Sequence, residues 1–163
     1  MSPRTAAAPL DAPTGRVAAL IPQTLLIAAG PFASGLSAAQ VAAAIGSGVS
    51  AGGRPEPDLC PIPVPEAAGE VGELLEALDF DARLRRARAV IIAEDRLEER
   101  ALAGSVAFEI ATRARQRGVP AYAVTGANEL NAFDARILDL QVILQASSVG
   151  ALVAAGRELA ALS

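Results

Sequence analysis

The 163-residue sequence contains no histidine, no tryptophan and a single cysteine, Cys60. It also contains no lysine: its 14 basic residues, from Arg4 to Arg157, are all arginines. The missing imidazole excludes histidine general bases and serine–histidine pairs. The missing amine excludes Schiff-base chemistry and the lysine of a phosphate-binding loop. One cysteine permits no internal disulfide, and without histidine it cannot anchor a zinc site. Beside Pro61, with no base to activate it, Cys60 reads as a small core residue. Aromatics at 3% leave no base-stacking platform, and a net charge of −4 opposes a phosphate backbone, so no nucleic-acid partner is expected. Any chemistry falls to carboxylates, arginines, hydroxyls, backbone amides and a hard metal ion.

Long apolar runs are missing as well. No stretch reaches the roughly 18 consecutive apolar residues of a membrane span. The best run, Val17 to Ala29, is interrupted by Pro22, Gln23 and Thr24. The expectation is a cytoplasmic protein with no membrane partner. What the chain has in abundance is alanine, 38 residues of 163. Alanine favours helix but buries little area per residue, so the core should be thin and the helices should lie close to a sheet. Small residues on outer helix faces would then be available to a second subunit.

Residues 1 to 22 carry Pro3, Pro9, Pro13 and Pro22 with no apolar period and read as a flexible leader, followed by one domain over 23–163. Thr24 to Ala29 has the form of a strand buried on both faces, ended by Gly30-Pro31. Ser37 and Gln40 form a capping box, with Leu36 and Val41 as its hydrophobic staple, for a helix reaching about Val49. Pro61 and Pro63 confine Leu59 to Val64 to a sheet edge or deny it strand status. Helix is expected over Glu66 to Leu78, Phe80 to Arg86, Ala101 to Arg117, Asn131 to Leu138 and Ser147 to Leu162. Strands are expected over Ala87 to Ala93, Pro120 to Thr125 and Leu140 to Leu144. Strands alternating with helices of this length predict an α/β fold, a three-layer αβα sandwich around a mostly parallel, Rossmann-like sheet. Ligands in such sheets bind beyond the carboxyl ends of the strands. The loops Gly30 to Gly35, Glu94 to Ala103 and Gly126 to Glu129 should therefore share one edge.

Three segments at that edge carry candidate chemistry. Gly30-Pro-Phe-Ala-Ser34-Gly35-Leu36-Ser37 has the spacing of a phosphate loop but Leu36 in the lysine position. Gly30, Ser34, Gly35 and Ser37 could offer an anion backbone amides and a helix start; equally, Ser37 simply caps the helix. In the charge run Glu94 to Arg100, Glu94, Asp95 and Glu98 are candidate magnesium ligands, and Arg96 could clamp a phosphate or carboxylate. The same run reads as a solvated entry to a helix, with acidic residues at the positive end of its dipole. Thr125, Gly126 and Asn128 could line a small-ligand pocket or be ordinary turn residues.

Val90-Ile-Ile-Ala-Glu94-Asp95-Arg96-Leu97-Glu98 followed by Leu102-Ala-Gly104 resembles the Val-Ile-Thr-Gly-Glu-Gly-Arg-Leu-Asp and Leu-x-Gly-Lys motifs of the bacterial glycerate kinase family. Gly118-Val119-Pro120, Thr125-Gly126 and Phe133-Asp134-Ala135 continue that resemblance in order. Phe32-Ala-Ser-Gly-Leu36-Ser37-Ala38 is similar to the family's opening Asp-Ser-Phe-Lys-Gly-Ser-Leu-Ser-Ala. The resemblance implies phosphorylation of D-glycerate with magnesium and ATP, with Glu94 and Arg96 in the catalytic positions. The departures fall on charged groups: Gly30 and Ala33 stand where the family has Asp and Lys, and Ser105 replaces the later Lys. Family members are also longer, with a second domain that this chain would lack. The expectation is a catalytically degenerate glycerate-kinase-like domain that binds a small anion or a protein partner. The weakly amphipathic final helix, with Gly150, Ala151, Ala154 and Ala155 beside its apolar stripe, points to a homo-oligomer or a complex with a different protein. The alternative is a surviving ATP-dependent kinase for D-glycerate or a similar hydroxy acid.

Overall fold

Short apolar runs set the sheet. In the computed structural model, which describes residues 24–67, 69–99 and 104–163, Thr24–Ala29 forms β1, buried at every position after Thr24. Four further strands join it in one parallel sheet, β2 (Asp58–Pro61), β3 (Ala87–Glu98), β4 (Ala121–Glu129) and β5 (Leu140–Gln145), in the order β2-β1-β3-β4-β5. The helices are α1 (Ala38–Ala51), α2 (Val71–Ala77), α3 (Phe80–Arg85), α4 (Val106–Gln116), α5 (Ala132–Ile137) and α6 (Val149–Leu162). This is the expected three-layer α/β sandwich. The leader, 1–22, and Arg100 to Ala103 at the expected start of α4 lie outside the described residues.

Hydroxyl and amide caps fix where the helices begin. The Ser37 hydroxyl accepts from the Gln40 amide while the Gln40 side chain accepts from the Ser37 amide, the expected reciprocal pair. Ser105, Asn131 and Ser148 cap α4, α5 and α6 in the same one-sided way, each accepting from the amide three residues on. Glu66 to Glu70 departs from the expected helix. Gly69 stands at φ +105°, a left-handed conformation a helix interior cannot hold, so α2 starts only at Val71. Asp79, at φ +53°, separates α2 from α3.

The sheet's two faces are covered differently. Leu25, Ile27, Ala89, Ile91, Tyr122 and Val124 face α1 and α6, whereas Leu26, Val90, Ile92 and Ala123 face α2, α3 and α4. On the first face, α1 and α6 approach at the distance of bare backbone. A Cβ on Gly48 would lie 1.9 Å from the Val153 carbonyl oxygen, and one on Gly156 would lie 2.1 Å from that of Ile45. Of the small residues of α6 that suggested a second subunit, Ala155 is buried within the chain, Ala151 is partly buried, and Gly150 and Ala154 are exposed. On the second face the space is filled by large side chains, Phe80, Leu75, Leu84 and Ile110, all fully buried. Asp81 of α3 ties this layer together, accepting from Arg113 at 3.1 Å and Arg117 at 3.0 Å. The Arg113 and Arg117 side chains, at the C-terminal end of α4, thus bridge to α3.

The charge run is not a loop. β3 continues through Glu94-Asp95-Arg96-Leu97-Glu98, and β4 continues through Gly126 to Glu129 in register with it, Arg96 opposite Ala127 and Glu98 opposite Glu129. Backbone pairing between the two strands satisfies amides and carbonyls that a loop would leave to water, and it prevails over the charged composition. β2 is the edge strand that its prolines allow.

Candidate functional site at the carboxyl edge

The strand order reverses between β1 and β3. From β1 the chain crosses to β2 on one side and then returns to β3 on the other, which opens a crevice beyond the carboxyl ends of these strands. A cavity of about 120 Å³ occupies it, lined by Gly30, Pro31, Ile62, the Pro63-Val64-Pro65 run, Glu94 and Val106. Ile62 and the prolines reach the crevice because β2 ends at the same edge, its next amide, Ile62, donating to Ala29 at 2.8 Å. The sequence reading missed this wall. Its signal was the proline run, which blocks a strand and so delivers a rigid segment past the strand end.

Glu94 and Asp95 are neighbours on a strand and separate to opposite faces. Glu94 lines the cavity and, among the described residues, has no hydrogen-bond or ion-pair partner. Burial pushes its carboxyl up to about 7, and the Asp95 charge adds to the rise. Asp95 Oδ1 accepts from the Ala33 amide at 3.1 Å, fastening the loop after β1 to β3. The backbone oxygen of Asp95 also accepts from the Thr125 hydroxyl at 3.3 Å. A Cβ on Gly126 would meet that same oxygen at 2.8 Å, so only glycine fits there without a shift.

The other expected site residues are placed as follows. In the loop from Gly30 to Ser37, amides that would cradle a phosphate already donate within the protein. Gly30 bonds Ala93, Phe32 bonds Leu36, Gly35 bonds Phe32, and Ser37 bonds the Gln40 side chain. Ser34 and Gly35 are exposed on this closed turn, and the Ser37 hydroxyl is the helix cap. Thr125 is fully buried, its hydroxyl donating to the Ala127 carbonyl at 3.0 Å as well as to Asp95, so it holds the fold and does not face a ligand. Asn128 Oδ1 accepts from the Leu130 amide at 3.2 Å in a turn. Arg96 pairs with Glu129 at 3.1 Å, both side chains about half exposed. Cys60 is buried, and burial pushes its thiol up, as befits a core residue.

Among the described residues no group of three carboxylate or thiol side chains is gathered to hold a metal ion. The expected magnesium trio of Glu94, Asp95 and Glu98 is not assembled, because Asp95 turns away to Ala33. The three carboxylates do not converge on one point, and the amides of Gly30, Phe32, Ala33, Gly35 and Ser37 in and before the loop after β1 are engaged within the protein. No described helix is long and apolar enough to cross a membrane.

The sequence profile described as the Glycerate kinase family matches residues 66–151, just over half of the chain. The chain belongs to the glycerate kinase family. The matched span contains Glu94, Arg96, Thr125 and Gly126, and the loop after β1 lies outside it. Among solved structures, a protein described as glycerate kinase 2 from Salmonella typhimurium LT2 is similar at 18% identity with a TM-score of 0.43. That alignment covers 56% of this chain and 25% of that one, so the chain spans about a quarter of that structure's length. No curated protein matches.

Proposed function

We propose that this glycerate kinase family chain works as a binding domain and not as a phosphotransferase, acting through association with a second copy of itself. The observation that carries the non-catalytic part is the fate of the donors at the switch point. The amides of Gly30, Phe32, Ala33, Gly35 and Ser37 are all bonded within the protein. Arg96, the described arginine at this edge, is paired with Glu129. A transferring phosphoryl group needs such donors free and preorganised. The association is supported at the β5 edge. There β5 has no fully buried residue, and Phe133, Ile137 and Val149 are 70%, 42% and 52% exposed.

The test has two arms. With magnesium, ATP and D-glycerate the chain should form no ADP above background, and ADP formation that depends on glycerate and disappears in Arg96→Ala would overturn the non-catalytic reading. Light scattering at micromolar concentration should give a mass above the 16.5 kDa monomer, and Phe133→Glu should return it to monomer. A monomeric mass for the unaltered chain would overturn the association.

One observation favours the second reading, an active ATP-dependent kinase for D-glycerate or a similar small hydroxy acid. A largely buried carboxyl held near 7 has the proton affinity a general base needs to take a hydroxyl proton at neutral pH. Under that reading Glu94→Gln abolishes turnover and leaves the fold intact.

A further inference from the structure

The cations of this chain gather at the opposite end of the sheet. Arg83, Arg85, Arg86 and Arg88 stand in and just after α3, where the chain enters the amino end of β3. A cavity of about 330 Å³ opens there at the amino ends of β1, β2 and β3, lined by Thr24, Leu26, Asp58, Arg83, Arg86 and Ala87. Its volume is nearly three times that of the switch-point cavity, about 120 Å³.

The arginines of this cavity are unequally engaged. Arg83 uses Nη1 alone, toward Asp58 Oδ1 at 3.4 Å and the Leu59 carbonyl at 3.2 Å. A guanidinium carries five N–H donors, so most of those of Arg83 are left over. The 3.4 Å separation is beyond the usual 2.7–2.9 Å of a strong charged pair. Arg86 has no side-chain partner among the described residues, and neither does the Thr24 hydroxyl. Asp58 offsets one of the two positive charges and leaves the other uncompensated.

We infer that this cavity is a binding site for a single small oxyanion, carboxylate or phosphate, clamped by Arg83 and Arg86 with the Thr24 hydroxyl as a further donor. The shape of the guanidinium suits such a ligand, since its parallel N–H groups meet two oxygens at once. The site lies across the sheet from the loop Gly30 to Ser37, where the sequence placed anion binding, and it depends on neither part of the proposed function.

Titration of the uniformly 15N-labelled full chain with inorganic phosphate, at ionic strength held constant with sodium chloride, tests it. Saturable shifts are expected at the amides of Thr24, Leu26, Arg86 and Ala87, with those of Gly30 to Ser37 unmoved. Acetate in place of phosphate distinguishes the two oxyanions: saturation by acetate alone assigns a carboxylate site, saturation by phosphate alone a phosphate site, and equal saturation a site that accepts either. Arg86→Gln, at an exposed and unpaired side chain that folding does not require, should weaken binding about tenfold or more, the usual worth of a bidentate charged contact. Glu94→Gln should leave binding unchanged. Absence of saturation by either anion below about 10 mM, roughly the weak end of specific binding, would overturn the proposal. So would shifts that persist unchanged in Arg86→Gln, or shifts centred on Gly30 to Ser37.

Discussion

The two faces of the sheet reach the same end by opposite means. On one, α1 and α6 close over Ile27, Ile91 and Val124 by bringing backbone against backbone at Gly48 and Gly156. On the other, the shorter helices α2 and α3 and the longer α4 hold their distance, and Phe80, Leu75, Leu84 and Ile110 fill the gap. The alanine and glycine content that makes the chain look poor in core-forming residues is concentrated where close approach replaces side-chain volume. Dispersion contacts between closely packed backbones stand in for the area that large side chains bury elsewhere. The division extends to the carboxyl edge: Glu94 goes to the cavity beside the bulky layer, and Asp95 goes to the loop leading into the close-packed one.

The strongest way to break this contrast is Gly156→Leu. The side chain would have to displace the Ile45 carbonyl, which is backbone and cannot swing aside. The expected loss exceeds the roughly 3 kcal/mol that bounds ordinary overpacking, read as absence of a cooperative urea transition. Phe80→Ala attacks the other face by the reverse route, leaving a cavity, and should cost about 3–5 kcal/mol while still giving a sharp transition.

Glu94 sharpens the contrast through pH. Its carboxyl ionises near 7 when folded and near 4.5 ordinarily, so between these values the folded state holds a proton that the unfolded chain has released. Stability should therefore fall as pH rises from about 4.5 to about 7 and then level off, by on the order of 1–3 kcal/mol. Denaturation of Glu94→Gln across this range should lack that slope. Asp95→Ala removes the bond to the Ala33 amide and should cost about 1 kcal/mol, with faster amide exchange confined to residues 31–36. Arg96→Ala, which breaks an exposed pair, should change stability by no more than about 0.5 kcal/mol; a loss of 2 kcal/mol would mean that the Glu129 contact organises the strand extension.

Local signals in this chain were readable and relational ones were not. Ser37 with Gln40 marks its helix correctly because capping is settled within four residues. The buried strands follow from Leu25 to Ala29 and Val90 to Ala93 because nothing but a covered sheet accepts such runs. Glu94 to Glu98 reads as a loop because its side chains are charged, yet its backbone partners lie more than thirty positions away in β4. Glu66 to Glu70 has helical composition, and only the positive φ of Gly69 reveals the turn. Composition does not distinguish the small residues of α6 that α1 covers, Ala155 and Gly156, from those left exposed, Gly150 and Ala154. At the site, Glu94 was legible from its position after a buried strand. The roles of Asp95 and Thr125 depend on a loop crossing from β1, which no local pattern records.

The outward continuation of β3 and β4 exposes a liability of its own. Among the described residues, past Ala93 on one side and Thr125 on the other neither strand has a registered strand neighbour apart from its partner, so the ribbon has two edges without a paired strand. Open edges template pairing between molecules, and charged side chains are a common means of preventing it. Glu94, Asp95, Arg96, Glu98 and Glu129 are dense over that ribbon, where a second strand would have to bring like charges together. The acidic run that resembles a catalytic motif thus has the composition that opposes edge-to-edge pairing where two strands outgrow their sheet.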